Sequence, residues 1–440
     1  MPYDSRVIWP IVVLTVIAAL LRIPVLSRPM GSDEAATFLY YASHPLPVAL
    51  TVYGSPNNHI LHSALMHLSY LLFGRAEWAL RLPAFVAGVA IVPLTWIAAR
   101  SVARRGAILA ASFAAVAPVL IDYSTDARGY TMLCCFALIC TAAMARIVRD
   151  GSRGPIALFA VSAALGFWTV PVMLYPFVML GIWGLITPRR RSAAIALAAA
   201  VVLVIVVYAP VLRVSGLAMI TANPYVRPVH DFLPKIPRYA ATVVSDLFIG
   251  IPLVVQLGIV IGFAVAAVRR MVPPMWIGFG GVIVLILIQR VLPFPRIWLP
   301  FLLLGFITAA AAWPWSESTE LMLAGAVVVA LAITGMATPR LRETGELRAV
   351  QGICRVLDRT AAAGDPVLAL PPSEMPLAFY CPRVDVLHPD PGSPRLFVVS
   401  NLDYGQTLPK TLAYFSVDPR RYSIRKLRDF GSAAVYELRR

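Results

Sequence analysis

The chain has 440 residues, of which 59% are hydrophobic and only 14% are charged. A soluble protein of this length does not carry so much apolar sequence, so we expect most of the chain to lie in a lipid bilayer. The net charge of +16 comes largely from arginines grouped in short loops between apolar stretches. That arrangement is typical of membrane topology, and a basic nucleic-acid-binding face is absent from the pattern, so no nucleic-acid partner is expected.

The first apolar stretch, residues 7–26, is long enough to cross a bilayer. Arg6 precedes it and no small-residue cleavage site follows it, so it is predicted to be a retained anchor. An acidic pair, Asp33 and Glu34, comes shortly after this stretch. Carboxylates held at a membrane surface are well placed for chemistry on an amphiphilic substrate.

The arginine groups predict the orientation of the spans. All of them reach the cytoplasm if the N-terminus is inside and residues 27–80 stay outside as one long loop. The apolar run 60–73 in that loop is short, which indicates an interfacial or re-entrant helix. Loops that should face the cytoplasm contain Arg100, Arg104, Arg105, Arg146, Arg149, Arg153, Arg189, Arg190, Arg191, Arg269 and Arg270.

The sequence predicts about eleven transmembrane helices, each near the length that the bilayer requires. The pair that meets at Pro171 is the weakest, because no charged loop divides it. The predicted spans are 7–26, 81–100, 106–121, 129–148, 155–170, 172–187, 193–213, 243–268, 272–290, 297–313 and 319–337.

The end of the chain differs in composition from the rest. It is charged and proline-rich, and its patterns predict an amphipathic helix at 345–362 and strands at 367–370, 396–400 and 434–438. We therefore predict two domains, a transmembrane domain at 1–339 and a small α/β domain at 340–440.

The odd number of crossings places this second domain outside the cytoplasm, whereas an error of one span would place it inside. Cys354 and Cys381 can pair as a disulfide only in the first case. Cys134, Cys135 and Cys140 share one apolar span and are expected to be packing residues.

Polar residues of three regions meet at the outer surface in this topology. Carboxylates can act as general bases toward a hydroxyl, and arginine forks bind phosphate through paired hydrogen bonds. The combination predicts transfer of a group from a lipid phosphate to an acceptor outside the cytoplasm. The residues are Arg28, Asp33, Glu34, Tyr40, Tyr41, His44, Asn57, Asn58 and His59; Asp122, Tyr123, Asp126, Arg128 and Tyr130; and Arg213, Asn223, Tyr225, Arg227, His230, Lys235, Arg238, Gln289, Arg290 and Arg296.

Each of these side chains also has a structural explanation. Asp33 and Glu34 can cap a helix that begins near Ala35, and Asp126 can cap the next span or pair with Arg128. His59 can be a polar group at the interface, and Arg290 and Arg296 can extend toward lipid headgroups.

Several segments together resemble the GT-C membrane glycosyltransferases, particularly the branch that contains protein O-mannosyltransferases and the lipid A aminoarabinose transferase. The similarity covers most of the first 150 residues and one later turn. The segments are 29–35 (PMGSDEA), 57–59 (NNH) through 72–74 (LFG), 78–88 (WALRLPAFVAG), 126–130 (DARGY) and the Pro295-Arg296 turn followed by Pro300.

The resemblance implies a GT-C-like fold with juxtamembrane helices in the first external loop and an inverting transfer of a sugar from a polyprenyl phosphate. Asp33 would be the general base with Glu34 beside it, and Asp126 would match the acidic residue of the second external loop. The residues expected to bind the donor are Arg128, Tyr130, Arg81 and Arg296, together with Asn57, Asn58 and His59, which stand where the aminoarabinose transferase has a lysine.

A divalent metal ion is left open, since some relatives use one; Asp33, Glu34 and Asp126 are its candidate ligands. The acceptor is a lipid, a glycan or a protein, and a lipid or glycan is favoured because the second domain is small. The expected location is a bacterial inner membrane. Two other classes stay possible at this point: a transporter of a lipid or solute, and a noncatalytic envelope assembly protein.

Overall fold

A computed structural model describes residues 5–103, 105–221, 227–269, 274–313, 316–337 and 346–440. The chain divides into two compact units: Met1–Leu26 with Pro45–Leu341, and Ser27–His44 with Arg342–Arg440. Several positions named above lie outside the described residues: Arg104, Asn223, Tyr225, Arg270, the first residue of the predicted helix at 345, and the predicted domain boundary between 339 and 340.

The described chain is mostly helical. In chain order the α-helices are α1 (Ser5–Arg22), α2 (Ser32–Thr37), α3 (Leu46–Thr51), α4 (Ile60–Phe73), α5 (Glu77–Val102), α6 (Ala107–Val116), α7 (Pro118–Ser124), α8 (Tyr130–Asp150), α9 (Arg153–Thr169), α10 (Leu174–Leu185), α11 (Arg190–Thr221), α12 (Phe232–Leu247), α13 (Leu253–Val268), α14 (Met275–Gln289), α15 (Leu299–Ala311), α16 (Glu317–Ala337), α17 (Val350–Thr360), α18 (Glu374–Tyr380) and α19 (Leu408–Tyr414). Helix α2 and helices α17–α19 belong to the second unit.

The first unit is the membrane part. Among the described residues, five helices are long and apolar enough to cross a bilayer: α1, α5, α8, α11 and α16. The pair α6–α7, bent by 59°, is either a broken sixth span or a re-entrant loop. The remaining predicted spans fall on shorter helices. The predicted fold class, a helical multi-pass membrane protein with a small α/β domain, is confirmed, while the number of crossings stays a prediction.

Two predicted elements of this unit can be compared directly with the structure. The apolar run 60–73 forms the short helix α4, as expected. The predicted span 243–268 is divided between α12 and α13. The break lies where Gly250 adopts a φ of 68° and Pro252 offers no N–H, and both features interrupt a helix.

Small residues allow the helices of the first unit to approach closely. Helix α5 packs on α8, and α8 packs on α9, with alanines filling much of the buried surface. Gly278 of α14 lies against the backbone of Met179 in α10, where a Cβ atom would collide with the carbonyl oxygen. Such contacts between small residues stabilise helix pairs in membranes, where burial of apolar surface does not.

The second unit contains a four-stranded sheet in the order β1-β2-β4-β3. Strands β1 and β2 are parallel, and β4 is antiparallel to both β2 and β3. The strands are β1 (Val367–Ala369), β2 (Arg395–Asn401), β3 (Ser423–Asp429) and β4 (Ala433–Arg439). Strand β3 was not predicted, because it lies at the sheet edge and its sequence, SIRKLRD, is mostly charged and exposed.

Helix α17 covers this sheet with Val350, Ile353 and Leu357, which are fully buried. Cys354 of α17 and Cys381 at the end of α18 form a disulfide. The bond therefore ties α17 to the end of α18.

The segment Ser27–His44, which follows the first span, is part of the same compact unit as the end of the chain. Helix α2 packs against α18. Since one compact unit cannot be divided by a bilayer, both segments lie on the same side of the membrane. This agrees with an even number of crossings between them.

Candidate functional site

The acidic pair begins helix α2, and its two carboxylates have different surroundings. Glu34 is fully buried, and its Oε2 accepts a hydrogen bond from the Gly31 N–H at 2.8 Å. This contact caps the helix, as the sequence allowed for the pair. Asp33 is the next position toward the N-terminus and is partly exposed. The capping contact therefore comes from Glu34, and Asp33 stays the predicted general base.

The segment before α2 is held by α18. The Met30 N–H donates to Tyr380 Oη at 3.0 Å, and the Phe38 ring meets Phe379 edge to face with a centroid distance of 5.4 Å. Tyr380 is adjacent to the disulfide residue Cys381. The second unit thus fixes the backbone on both sides of Asp33, and sequence analysis had not connected Tyr380 with the acidic pair.

Tyr380→Phe is expected to loosen residues 30–37 without unfolding the unit. The substitution removes one hydrogen bond to a buried N–H, which is worth about 1 kcal/mol, so local opening should become about fivefold more frequent. Hydrogen–deuterium exchange of peptides that cover α2 measures this change.

Tyr422→Phe is the matched control, since Tyr422 Oη donates to the Ser393 carbonyl at 2.9 Å in the same unit. Its effect should stay near Ser393. Unchanged exchange at residues 30–37 in Tyr380→Phe, with a measurable effect of the control, would contradict the role of Tyr380.

Sequence analysis missed a further carboxyl of this unit, that of Glu374. Within the described residues, Glu374 Oε2 at the start of α18 is buried without a hydrogen-bond partner. Burial raises the pKa of the Glu374 carboxyl above its ordinary value. Burial, with Glu374 and Tyr41 nearby, also raises the pKa of Tyr40, which shows that the two side chains are close. The sequence around Glu374 indicates only the start of a helix, so it carries no signal for a buried carboxyl.

In the first unit, the predicted basic cluster forms around the loop after α7. Pro118 begins α7 after the 59° bend, and residues 124–130 are all buried. Arg128 Nη2 lies 3.3 Å from His59 Nε2, and the Gly129 N–H donates to His59 Nδ1 at 2.8 Å. The loop therefore brings together His59 and Arg128, which are far apart in sequence.

The hydrogen bond to Gly129 decides which nitrogen of His59 carries the proton. Burial lowers the pKa of His59 well below its usual range, and the cations of Arg128 and Arg296 and the nearby His62 lower it further. The imidazole is therefore neutral at neutral pH. Because Nδ1 accepts from Gly129, the proton resides on Nε2. His59 Nε2–H and Arg128 Nη2 are then two donors side by side, an arrangement that favours a shared oxyanion.

The ring of Tyr130 lies at the centre of this cluster. The guanidinium carbons of Arg128 and Arg296 are 5.8 and 5.2 Å from the ring centroid, and the His59 ring meets it edge to face at 4.9 Å. Arg296, in the turn Pro295–Trp298, also lies over Phe294 at 4.5 Å. Two cations close to one ring create a positive potential that favours an anionic group. Asp126, from the same loop as Arg128, is also buried, and its role as the acid of this loop stays a prediction.

The other predicted binding residues hold the backbone. Asn58 Nδ2 donates to the carbonyls of Ala49 and Val52, and the Asn57 N–H donates to Ser55 Oγ at 3.3 Å. Arg81 is fully buried and donates to the Leu26 carbonyl at 2.8 Å. These contacts join loop and helix ends, and a role in donor binding stays a prediction for these residues.

A divalent metal would need several acidic, histidine or cysteine ligands at one place. Over the described ranges, three or more such side chains do not come together in a group that could hold a metal ion. No chemical step is therefore assigned to a metal ion.

Residues 55–213 match the family model of dolichyl-phosphate-mannose-protein mannosyltransferases. That range includes His59, Asp126 and Arg128. A comparison with curated protein sequences finds no match.

Solved structures match over nearly the whole chain. ArnT of Cupriavidus metallidurans, bound to undecaprenyl phosphate, superposes with a TM-score of 0.63 at 14% identity and covers 97% of both chains. Its apo form gives 0.62 at 14% identity, covering 99% of this chain and 98% of that one. This chain has the GT-C fold. The zinc and sulfate complex of the Archaeoglobus fulgidus oligosaccharyltransferase agrees, with a TM-score of 0.52 at 11% identity over 86% of this chain and 62% of that one. The resemblance to the GT-C glycosyltransferases, inferred from short motifs, is confirmed.

Proposed function

We propose that this protein is a membrane glycosyltransferase that moves a sugar from a polyprenyl phosphate to an acceptor hydroxyl outside the cytoplasm. The observation that carries the proposal is the cluster of the buried His59, Arg128 and Tyr130 with the half-buried Arg296. It sets two cations and a neutral N–H donor around one place. A phosphate attached to a lipid fits this chemistry, because guanidinium groups bind phosphate oxygens through charge-assisted hydrogen bonds.

The fold and the family match support the same reaction class. The description of the matched family names a sugar donor linked to a lipid phosphate. The similar ArnT structure is bound to undecaprenyl phosphate. The similarity in structure concerns the fold, so the donor of this chain is inferred from its own arginine cluster together with these relatives.

In the proposed step the acceptor oxygen attacks the anomeric carbon of the sugar. A new C–O bond to the acceptor forms, and the bond between the anomeric carbon and the phosphate oxygen breaks. The phosphate departs with the electron pair and is stabilised by Arg128 and Arg296, while Asp33 takes the proton of the acceptor hydroxyl. A single displacement of this kind inverts the configuration at the anomeric carbon.

The location outside the cytoplasm is supported by two features. The disulfide between Cys354 and Cys381 belongs to an oxidising compartment. The segment that carries Asp33 lies in the same unit as that disulfide, so both face the same compartment. We place this protein in a bacterial inner membrane, with a lipid or glycan as the favoured acceptor.

Mass spectrometry of envelope lipids and glycans from cells with and without the gene tests the proposal. We expect the loss of one sugar residue from an envelope component and accumulation of the polyprenyl-phosphate sugar that supplies it. An unchanged envelope without donor accumulation, or solute uptake by sealed vesicles that is independent of transfer, would contradict the proposal.

A further inference from the structure

The first membrane helix contains a fully buried arginine that the proposed reaction does not use. Arg22 lies in the last turn of α1. Its Nε donates to Ser124 Oγ at 3.0 Å, and its Nη1 donates to the carbonyls of Ala18 at 2.9 Å and Ala115 at 2.8 Å. Its Nη2 lies 3.5 Å from the Ala114 carbonyl. Across the described part of the chain, no ion pair between Arg22 and a carboxylate is observed.

A buried arginine in a membrane helix is costly and needs a reason. The carbonyls that Arg22 contacts on α6 lie just before the bend between α6 and α7. In an unbroken helix, the Ala114 carbonyl would accept from the backbone nitrogen of residue 118, but Pro118 has no N–H. The guanidinium therefore caps the carbonyls that the break leaves without partners in the helix.

The same side chain holds the far end of α7. Ser124 accepts from Arg22 and also donates to the Leu120 carbonyl. Gly88 of α5 lies directly against the Ser124 side chain, and a Cβ atom at Gly88 would overlap it. Ser124 is thus fixed between α1 and α5.

The fixed end of α7 leads directly into the basic cluster. The Thr125 N–H donates to the Asp122 carbonyl at 3.1 Å, and the Arg128 N–H donates to the Asp126 carbonyl at 2.6 Å. The loop has buried side chains and internal hydrogen bonds, so a displacement of Ser124 would be transmitted to Arg128.

We propose that Arg22 is a positioning residue for the lipid-phosphate site. Its guanidinium sets the bend between α6 and α7 and the place of Ser124, and through them the position of Arg128 beside His59. This inference rests on the proposed function. It assigns to Arg22 an indirect effect on phosphate binding, through α7 and Arg128.

Arg22→Met tests the inference with purified protein in lipid nanodiscs. We expect the KM for the polyprenyl-phosphate sugar to rise about tenfold, because a displaced Arg128 would lose one charge-assisted hydrogen bond to the phosphate. The KM for the acceptor should stay unchanged. Arg22→Lys should recover part of the loss, because an ammonium group can still donate to Ser124 and a carbonyl. Binding of the polyprenyl phosphate itself, followed by native mass spectrometry, should weaken in parallel.

Ser124→Ala provides a second, milder variant in case Arg22→Met does not fold. It should raise the KM for the sugar donor about threefold. In the double variant with Arg22→Lys, the change in donor KM should be smaller than the two single changes combined, since the residues share one contact. Thr15→Val is the matched control, because Thr15 of α1 donates only to the Ile11 carbonyl of its own helix. That variant should keep both KM values.

The outcomes separate this inference from the proposed function. If the wild type transfers no sugar, the proposed function fails. If the wild type is active, but Arg22→Lys and Ser124→Ala lower only the amount of folded enzyme and keep the donor KM and lipid-phosphate binding, Arg22 is merely structural and the inference is wrong.

Discussion

Asp33→Asn is expected to reduce sugar transfer by a factor of about 10³ while the protein stays folded and inserted. A positioned general base contributes about 10² to 10⁴ to a rate, and asparagine has the same shape but cannot take the proton of the acceptor hydroxyl. The helix should survive the change, because Glu34 makes its capping contact. The measurement is kcat with saturating donor and acceptor, together with the melting temperature in detergent.

Glu34→Gln separates the two carboxylates. Glutamine still offers an oxygen to the Gly31 N–H, so we expect a stability loss of about 1 kcal/mol and a rate that stays within about tenfold of wild type. Asp429→Asn is the surface control, since Asp429 lies in the same unit and pairs only with exposed groups such as Lys426. Normal transfer by Asp33→Asn would show that another group removes the proton.

The parts of the fold that sequence analysis predicted are those encoded locally. Long apolar runs require helices wherever they lie in a bilayer, so the membrane helices and the short helix α4 follow from composition. Strand β3 was missed because its charged sequence carries no local signal, and its place in the sheet depends on pairing with β4. The break at Gly250 and Pro252 was visible as residue types, but the apolar run around it concealed it.

The candidate site was predicted only as a list of residues, because its geometry depends on contacts far apart in the chain. The pairing of His59 with Arg128 and the hydrogen bond from Met30 to Tyr380 join segments that are separated in sequence. Arg81 lies in a segment that resembles the family, and motif reasoning did not predict its hydrogen bond to the Leu26 carbonyl; its role in donor binding stays a prediction. The capping role of Glu34, in contrast, followed from its position at a helix start.

Arg128→Met is the second change for which a large effect is expected. Methionine fills similar volume but removes a buried cation that faces the proposed phosphate, so the affinity for the polyprenyl phosphate should fall by a factor of about 10², the equivalent of one strong charge-assisted contact. Arg128→Lys should lose about tenfold, since it keeps the charge but not the fork. Arg100→Met is the matched control, because Arg100 lies in the last turn of α5 and its guanidinium contacts the Trp96 ring.

A double-mutant cycle with His59→Gln decides whether one oxyanion is shared. If His59 Nε2–H and Arg128 donate to the same phosphate oxygen, that oxygen keeps one hydrogen bond when either residue is replaced. The loss of binding free energy for the polyprenyl phosphate in the double mutant will then differ from the sum of the two single losses by about 1 kcal/mol or more. Strictly additive losses would mean that the two groups act on separate atoms. If Arg128→Met keeps the wild-type affinity for the polyprenyl phosphate, the phosphate does not bind at this cluster. The 3.3 Å contact between His59 and Arg128 would then be only structural.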